Sequence, residues 1–205
     1  MCGFSFCISK TNISLKEIKL MNKKISHRGP DKEKFISSKN IKSFNRKFST
    51  NFLAGFRRLK IIDLSSKANQ PMLYTDRYFI IFNGEIYNYI EIKEILKKNK
   101  YIFKTKSDTE VILAAYDFWG SKCFNYFNGM WSLIIFDLKK NKFIACRDRY
   151  GVKPLYYTKL KNSYYFSSEV KQLLSLNKKN QINKQTLSRY LYDDLSSNNE
   201  QTFIK

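Results

Sequence analysis

The residue best suited to covalent chemistry sits at the start of the chain, in Met1-Cys2-Gly3-Phe4-Ser5. Once Met1 is removed, Cys2 carries a thiol and a free α-amine, so a single residue holds both a nucleophile and a base. A thiol with pKa about 8.5 lies close to a terminal amine at about 7.7–8.0, so the amine can take the thiol proton at little cost near neutral pH. Activation of a nucleophile by its own terminal amine is one variant of the triad logic used by acyl-transfer enzymes. Any residue can follow a start codon, so the case for Cys2 depends on what accompanies it.

The only histidine, His27, raises the competing reading of a Cys–His thiol hydrolase. It precedes Arg28-Gly29-Pro30, where a helix must end, and histidines at such ends often serve structure by capping carbonyls. The other cysteines, Cys7, Cys123 and Cys146, form no CxxC pair and no metal-ligand spacing with His27. They read as small core residues in a reducing compartment, with no metal site. The chain has 38 Lys+Arg against 17 Asp+Glu, a net charge of +21, but only eight of the basic residues are Arg. The lysines are scattered in pairs such as Lys97-Lys98, Lys139-Lys140 and Lys178-Lys179, as expected of a solvated surface. A nucleic-acid interface would gather Arg and aromatics on one element, so nucleic acid is not the expected partner. A basic binding module without catalysis is the alternative this charge keeps open. No apolar run approaches the roughly 20 residues needed to cross a bilayer, and no secretory signal is seen, so the expected location is the cytoplasm.

Several elements must position the nucleophile. Alternation of Phe4, Phe6 and Ile8 predicts a strand over 3–9, which would order the terminus. Ser14-Leu15-Lys16-Glu17 reads as a capping box opening a helix that ends near His27. Short strands are expected at 33–37 and 42–48, and a firmer one from Phe52 into Gly55. The unbroken apolar run Tyr78–Phe82 predicts a strand buried on both faces that stops at the turn dipeptide Asn83-Gly84. Capping-box patterns at Asn88–Glu91 and Ser107–Glu110 open helices over 89–98 and 108–118, the second ended by Gly120. A hairpin follows (Met130–Leu138 and Phe143–Cys146), then strands at 154–158 and 164–167, a helix capped by Ser168, and an amphipathic segment at 184–192. Helices fall between groups of strands, and several strands are apolar on both faces. The predicted fold is therefore α+β, a four-layer αββα sandwich of two antiparallel sheets with helices outside.

The chain resembles the class II glutamine amidotransferases, and among them the N-terminal domain of glutamine-dependent asparagine synthetases. Six segments carry the resemblance in order over residues 1–175. They are Met1-Cys2-Gly3, His27-Arg28-Gly29-Pro30-Asp31, Arg58-Leu59 with Ile61-Ile62-Asp63, Phe82-Asn83-Gly84-Glu85-Ile86-Tyr87-Asn88, Ser107–Ile112, and Arg147–Tyr157. The resemblance implies an N-terminal-nucleophile hydrolase fold and hydrolysis of L-glutamine to glutamate and ammonia. Cys2 would attack the side-chain amide. The Asn83 side chain and the Gly84 N–H would hold the oxyanion, with glycine allowing close backbone approach. Arg58 matches the residue that clamps the α-carboxylate, and Asp108 the one that accepts the α-ammonium. Backbone at Ile61 and Ile62, together with Glu85, would complete the pocket. Position 57, often acidic in relatives, is Arg, which would change the charge near the pocket.

The implied domain spans 1–182, and 183–205 reads as a helix and linker toward an ATP-dependent synthetase domain. That synthetase, whose Ser-Gly-Gly-x-Asp-Ser loop is not found here, is where ATP and Mg would act; no cofactor is expected in this chain. Expected partners are L-glutamine and a synthetase domain in the same longer chain or a separate subunit, with a homodimer compatible with the sequence. A related amidotransferase feeding a sugar or a cell-surface precursor is the other acceptor reading.

Overall fold

The computed structural model describes residues 1–44, 50–177 and 181–193. In chain order the elements are β1 (Gly3–Ser9), α1 (Leu15–Lys23), β2 (Lys32–Ser37), β3 (Asn51–Arg58), β4 (Met72–Tyr74), β5 (Tyr78–Ile86), α2 (Tyr89–Lys98) and α3 (Asp108–Trp119). They continue with β6 (Gly129–Asp137), β7 (Lys142–Arg147), β8 (Tyr156–Leu160), β9 (Ser163–Ser167), α4 (Val170–Leu174) and α5 (Lys184–Asp193).

Alternation along β1 and β3 decides how the layers stack. Phe4, Phe6 and Ile8 with Phe52, Ala54 and Phe56 point to one side and meet Phe79, Ile81, Ile134 and Phe136 from the other sheet. Cys7 and Leu53 point the opposite way, onto Ile18 and Met21 of α1. Ile80, Phe82, Leu133 and Ile135 face outward onto Val111, Ile112 and Ala115 of α3 and Ile92 and Leu96 of α2. Strands with apolar residues on both faces are thus covered by a sheet on one side and helices on the other. The sheets have strand orders β2-β3-β1-β9-β8 and β4-β5-β6-β7, and every pair is antiparallel. The result is the four-layer sandwich expected from the sequence.

Local expectations differ at several points. The strand β5 does not stop at Asn83-Gly84 but runs on to Ile86, paired with β6 from Tyr78↔Asp137 to Ile86↔Gly129. The glycine answers a packing need there: a Cβ at Gly84 would lie 2.2 Å from the Met130 carbonyl oxygen and 2.6 Å from Trp131 Cα. Ser14 precedes α1 but makes no side-chain cap; Glu17 instead accepts a hydrogen bond from the Tyr165 hydroxyl at 2.8 Å. Asn88 likewise leaves α2 uncapped and bonds Tyr126 O and Asn128 N. Ser107 does cap α3 through Thr109 N, whereas Glu110 accepts from the backbone of Lys104 and Thr105. The helix α4 is capped by Glu169 in a capping box with Gln172, not by Ser168. Residues 42–44 of the strand expected at 42–48 form a turn, and 45–48 lie outside the described residues, as does the linker at 194–205. Among the described residues, no helix is long and apolar enough to cross a membrane.

Candidate active site

Cys2 immediately precedes β1, beside the end of β3. Its sulfur accepts a hydrogen bond from Leu59 N at 3.3 Å and lies 3.5 Å from Leu59 O, so the first residue past β3 fixes the thiol. The half-buried Cys2 opens into a pocket also lined by Arg58, Leu59, Ile61, Ile62, Asp63, Gln70, Phe82, Gly84, Glu85 and Asp108. Four elements and one loop therefore meet there: the start of β1, the end of β3 with the segment after it, the second half of β5, and the first residue of α3. Burial pushes the Cys2 thiol above its ordinary range, opposed by the Leu59 N–H, the chain's terminal amine and Arg58. The resting sulfur is thus held as a thiol and needs a base to become a nucleophile.

Arg58, at the last position of β3, is 6% exposed and anchors the segment that follows it. Its guanidinium donates to Ser65 O (3.0 Å), Asn69 Oδ1 (2.6 Å) and Asp63 O. Three of its five donors are committed in this way. Nε–H and one Nη2–H have no partner among the described residues, and Arg58 forms no ion pair there. Two uncommitted guanidinium donors are suited to capture of a carboxylate. Asp63 closes the same loop, accepting from Ser65 N (2.8 Å) and from Lys106 N (3.0 Å), and the Ser65 hydroxyl together with these N–H groups holds its carboxyl below the usual range. Ile61, at 68% exposure, stands at the pocket rim.

Asp108 opens α3, and only 4% of its surface is exposed. Its Oδ2 accepts a hydrogen bond from Ile86 N at 3.2 Å, tying the helix start to the end of β5. Burial raises its carboxyl to about 6, with the charge of Glu85 pushing the same way and the Ile86 and Thr109 N–H groups opposing. A buried acid with no ion pair among the described residues is poised to receive a cation.

Asn83 does not line the pocket; it lies on β5 between Phe82 and Gly84, which do, and is 1% exposed and paired in register with Ser132. Its Nδ2 is buried without a hydrogen-bond partner. Buried amide donors are almost always satisfied, so this orphan among the described residues stands out as a donor kept for something not yet there.

Sequence reasoning missed Gln70, which organises the pocket floor by accepting from Phe82 N at 2.6 Å and donating to Thr109 Oγ1 at 3.3 Å. Only its position before Pro71 at the end of a polar loop marked it. His27 does not line the Cys2 pocket; its Nε2 lies 2.9 Å from Glu169 Oε1, so it pairs with a carboxylate rather than capping a carbonyl. Arg57 sits on β3 opposite Gly3 and Glu33 and pairs with Glu33 at 2.9 Å, so its charge is matched outside the pocket.

A family model described as "Glutamine amidotransferase domain" matches residues 1–205. The chain is 39% identical over 197 residues to asparagine synthetase [glutamine-hydrolyzing] 1 of Bacillus subtilis, covering 93% of this chain and 29% of that protein. It is 43% identical over 209 residues to putative asparagine synthetase [glutamine-hydrolyzing] 2 of Methanocaldococcus jannaschii, covering 93% of this chain and 39% of that one. The chain thus spans about a third of the length of these relatives. In structure it is similar to the glutamine phosphoribosylpyrophosphate amidotransferase of B. subtilis, with a TM-score of 0.66 at 15% identity over 84% of this chain and 43% of the other. That likeness is one of fold. The family model spans the whole chain, and relatives named as glutamine-hydrolysing asparagine synthetases match 93% of it: this chain belongs to the glutamine amidotransferase domain family.

Proposed function

We propose that the chain is a glutaminase, hydrolysing L-glutamine to glutamate and ammonia with Cys2 as its mature N-terminal residue. One observation carries the reading. A thiol, a guanidinium with two uncommitted donors and a buried carboxylate with no ion pair among the described residues line a single pocket, and two of its lining residues, Phe82 and Gly84, flank Asn83, whose buried amide lacks an acceptor there. A guanidinium and a carboxylate at two ends of one pocket suit a zwitterionic amino acid.

In this reading the α-amine of Cys2 takes the thiol proton as sulfur attacks the side-chain carbonyl carbon of glutamine. Asn83 Nδ2–H and Gly84 N–H donate to the oxyanion as the carbonyl π bond becomes a lone pair. Collapse breaks the C–N bond, and the protonated amine delivers its proton to the departing nitrogen, which leaves as ammonia. The thioester is then hydrolysed by water, deprotonated by the same amine, which restores the thiol and releases glutamate. Water is the only co-reactant, and the proton count closes. Arg58 would hold the α-carboxylate and Asp108 the α-ammonium, with Ile61, Ile62 and Glu85 bounding the site.

The ammonia would serve an ATP-dependent synthetase site forming asparagine from aspartate, in the rest of a longer chain or in a separate subunit. The names of the relatives and the fraction of their length that this chain spans support that reading. ATP and Mg would act there, and the boundary between the two parts would fall near residue 182. The four unpaired cysteines agree with a reducing, cytoplasmic setting. Glutamate release by the purified protein, compared with Cys2→Ala, tests the proposal. Equal rates end it, and an intact mass that retains Met1 in active protein rules out the amine as base.

A further inference from the structure

The start of β1 is gripped by a segment distant in sequence. Phe4 N donates to Ser168 Oγ (3.0 Å), Ser168 N donates to Phe4 O (3.2 Å), and Gln172 Nε2 donates to Phe4 O (3.0 Å) and Ser5 Oγ (2.8 Å). Between these contacts sits Glu169, whose carboxylate collects three partners: the His27 ring at 2.9 Å, Lys171 at 2.7 Å, and Arg28 through Nε. Burial works to raise the Glu169 carboxyl, but hydrogen bonds from Lys171, Arg28 and His27 outweigh it and bring it down to about 2. It is therefore a fixed negative charge throughout the working pH range.

The third contact leads to the nucleophile. Arg28, with a side chain 10% exposed, donates through Nη1 to the carbonyl oxygen of Cys2 at 3.4 Å while its Nε is held by Glu169. Its stem lies across Gly3, where a Cβ would come within 2.8 Å of Arg28 Cδ. Sheet pairing of β1 begins only at Gly3↔Arg57, so Cys2 lies outside the ladder and its backbone needs another anchor. One guanidinium, fixed at Nε by a carboxylate and resting on a residue without a side chain, supplies it. Without Glu169, nothing at the Nε end would keep Arg28 from swinging away.

We propose that Glu169 is a positioning residue for the nucleophile, acting through Arg28 on the Cys2 carbonyl to fix the direction in which sulfur and amine face the pocket. This rests on the reading of Cys2 as the nucleophile. Glu169 itself touches neither substrate nor reacting atoms. Because the effect is one of orientation, it falls on turnover and not on the Arg58 and Asp108 ends of the pocket.

The test compares Glu169→Ala, Glu169→Gln, Arg28→Ala and the double variant in the purified protein, with His27→Ala and Lys171→Ala as controls that remove other partners of Glu169. Misplacement on the ångström scale costs up to about 100-fold in rate, so Glu169→Ala is expected to lower kcat by about 10- to 100-fold with little change in KM. Glu169→Gln keeps an acceptor for Arg28 and should recover most of that loss; it also serves if the alanine variant does not fold. In the Arg28→Ala background the Glu169 substitution should add nothing, and both controls should stay near wild type. Full additivity of the two losses, or wild-type kcat in Glu169→Ala well below its melting temperature, overturns the proposal. Alkylation of Cys2 by iodoacetamide, read by mass spectrometry of the N-terminal peptide, separates the two claims. If the wild type shows no glutaminase, the proposed function fails; if Cys2 alkylates at the same rate with and without Glu169, the positioning role fails whatever the glutaminase result.

Discussion

Replacing Asn83 by alanine separates a catalytic role from a structural one with unusual clarity. In most buried asparagines the side chain stabilises the fold through its hydrogen bonds, and its loss costs both stability and function. Here Nδ2 is buried and has no acceptor. A buried donor left unsatisfied costs about 1–3 kcal/mol, which the unliganded protein bears. Asn83→Ala removes that penalty and leaves a small gap that forfeits some packing. The two terms oppose each other, so the melting temperature should stay within a few degrees of wild type or rise. Activity should move the other way. If Nδ2–H meets the oxyanion, its loss costs about 2.7–4 kcal/mol of barrier, a 10²- to 10³-fold fall in kcat with KM little altered. A coupled assay of glutamate release beside thermal unfolding measures both. A kcat within tenfold of wild type would refute the oxyanion role. A fall in stability of 2 kcal/mol or more, on the scale of an ordinary lost buried hydrogen bond, would refute the orphan-donor argument.

Three further predictions follow from the pocket. Asp108 titrates at about 6, and only its carboxylate form can receive an ammonium, so KM for glutamine should rise as pH falls through 6, and Asp108→Asn should lose this dependence along with most affinity. The sign for stability is the reverse. Because the folded pKa lies above the ordinary 3.8, the unliganded protein holds that proton more tightly than the unfolded chain, an advantage present below about pH 4 and lost as pH rises through 6. Asp108→Asn should therefore be more stable than wild type at pH 7, by up to about 3 kcal/mol, and an unchanged or lower stability in chemical denaturation would contradict the buried-charge account. At Gly84 a Cβ would strike the Met130 carbonyl oxygen at 2.2 Å, so Gly84→Ala should destabilise the β5–β6 pair by about 3 kcal/mol; full stability in urea unfolding would show that the strands part easily. Arg58→Lys cannot hold three loop acceptors and still present two donors, so it should raise KM by at least tenfold with a smaller change in kcat; an unchanged KM would remove Arg58 from substrate recognition.

Much of this protein is determined by sequence alone. Strand and helix identities follow from side-chain periodicity, which is local, and the two-faced apolarity of Tyr78–Phe82 already required a layer on each side of its sheet. The family follows from short motifs whose order survives in the linear chain. Local chemistry was least informative where two roles compete for one residue. Asn83-Gly84 is a turn signal on its own, but β6 pairs along its whole length, and the absent Cβ makes room for that neighbour's backbone. Ser14, Asn88 and Ser168 have capping chemistry, and each spends it or leaves it unused according to partners more than 15 residues away or from no partner at all. That Asp108 is buried against the end of β5 and that Glu169 reaches Cys2 through Arg28 depend on which segments the two sheets bring together. Hydrogen-bond satisfaction and burial are properties of the packed chain, set by contacts that span 22 residues from Asp108 to Ile86 and 141 from Arg28 to Glu169, and no spacing in the sequence encodes them.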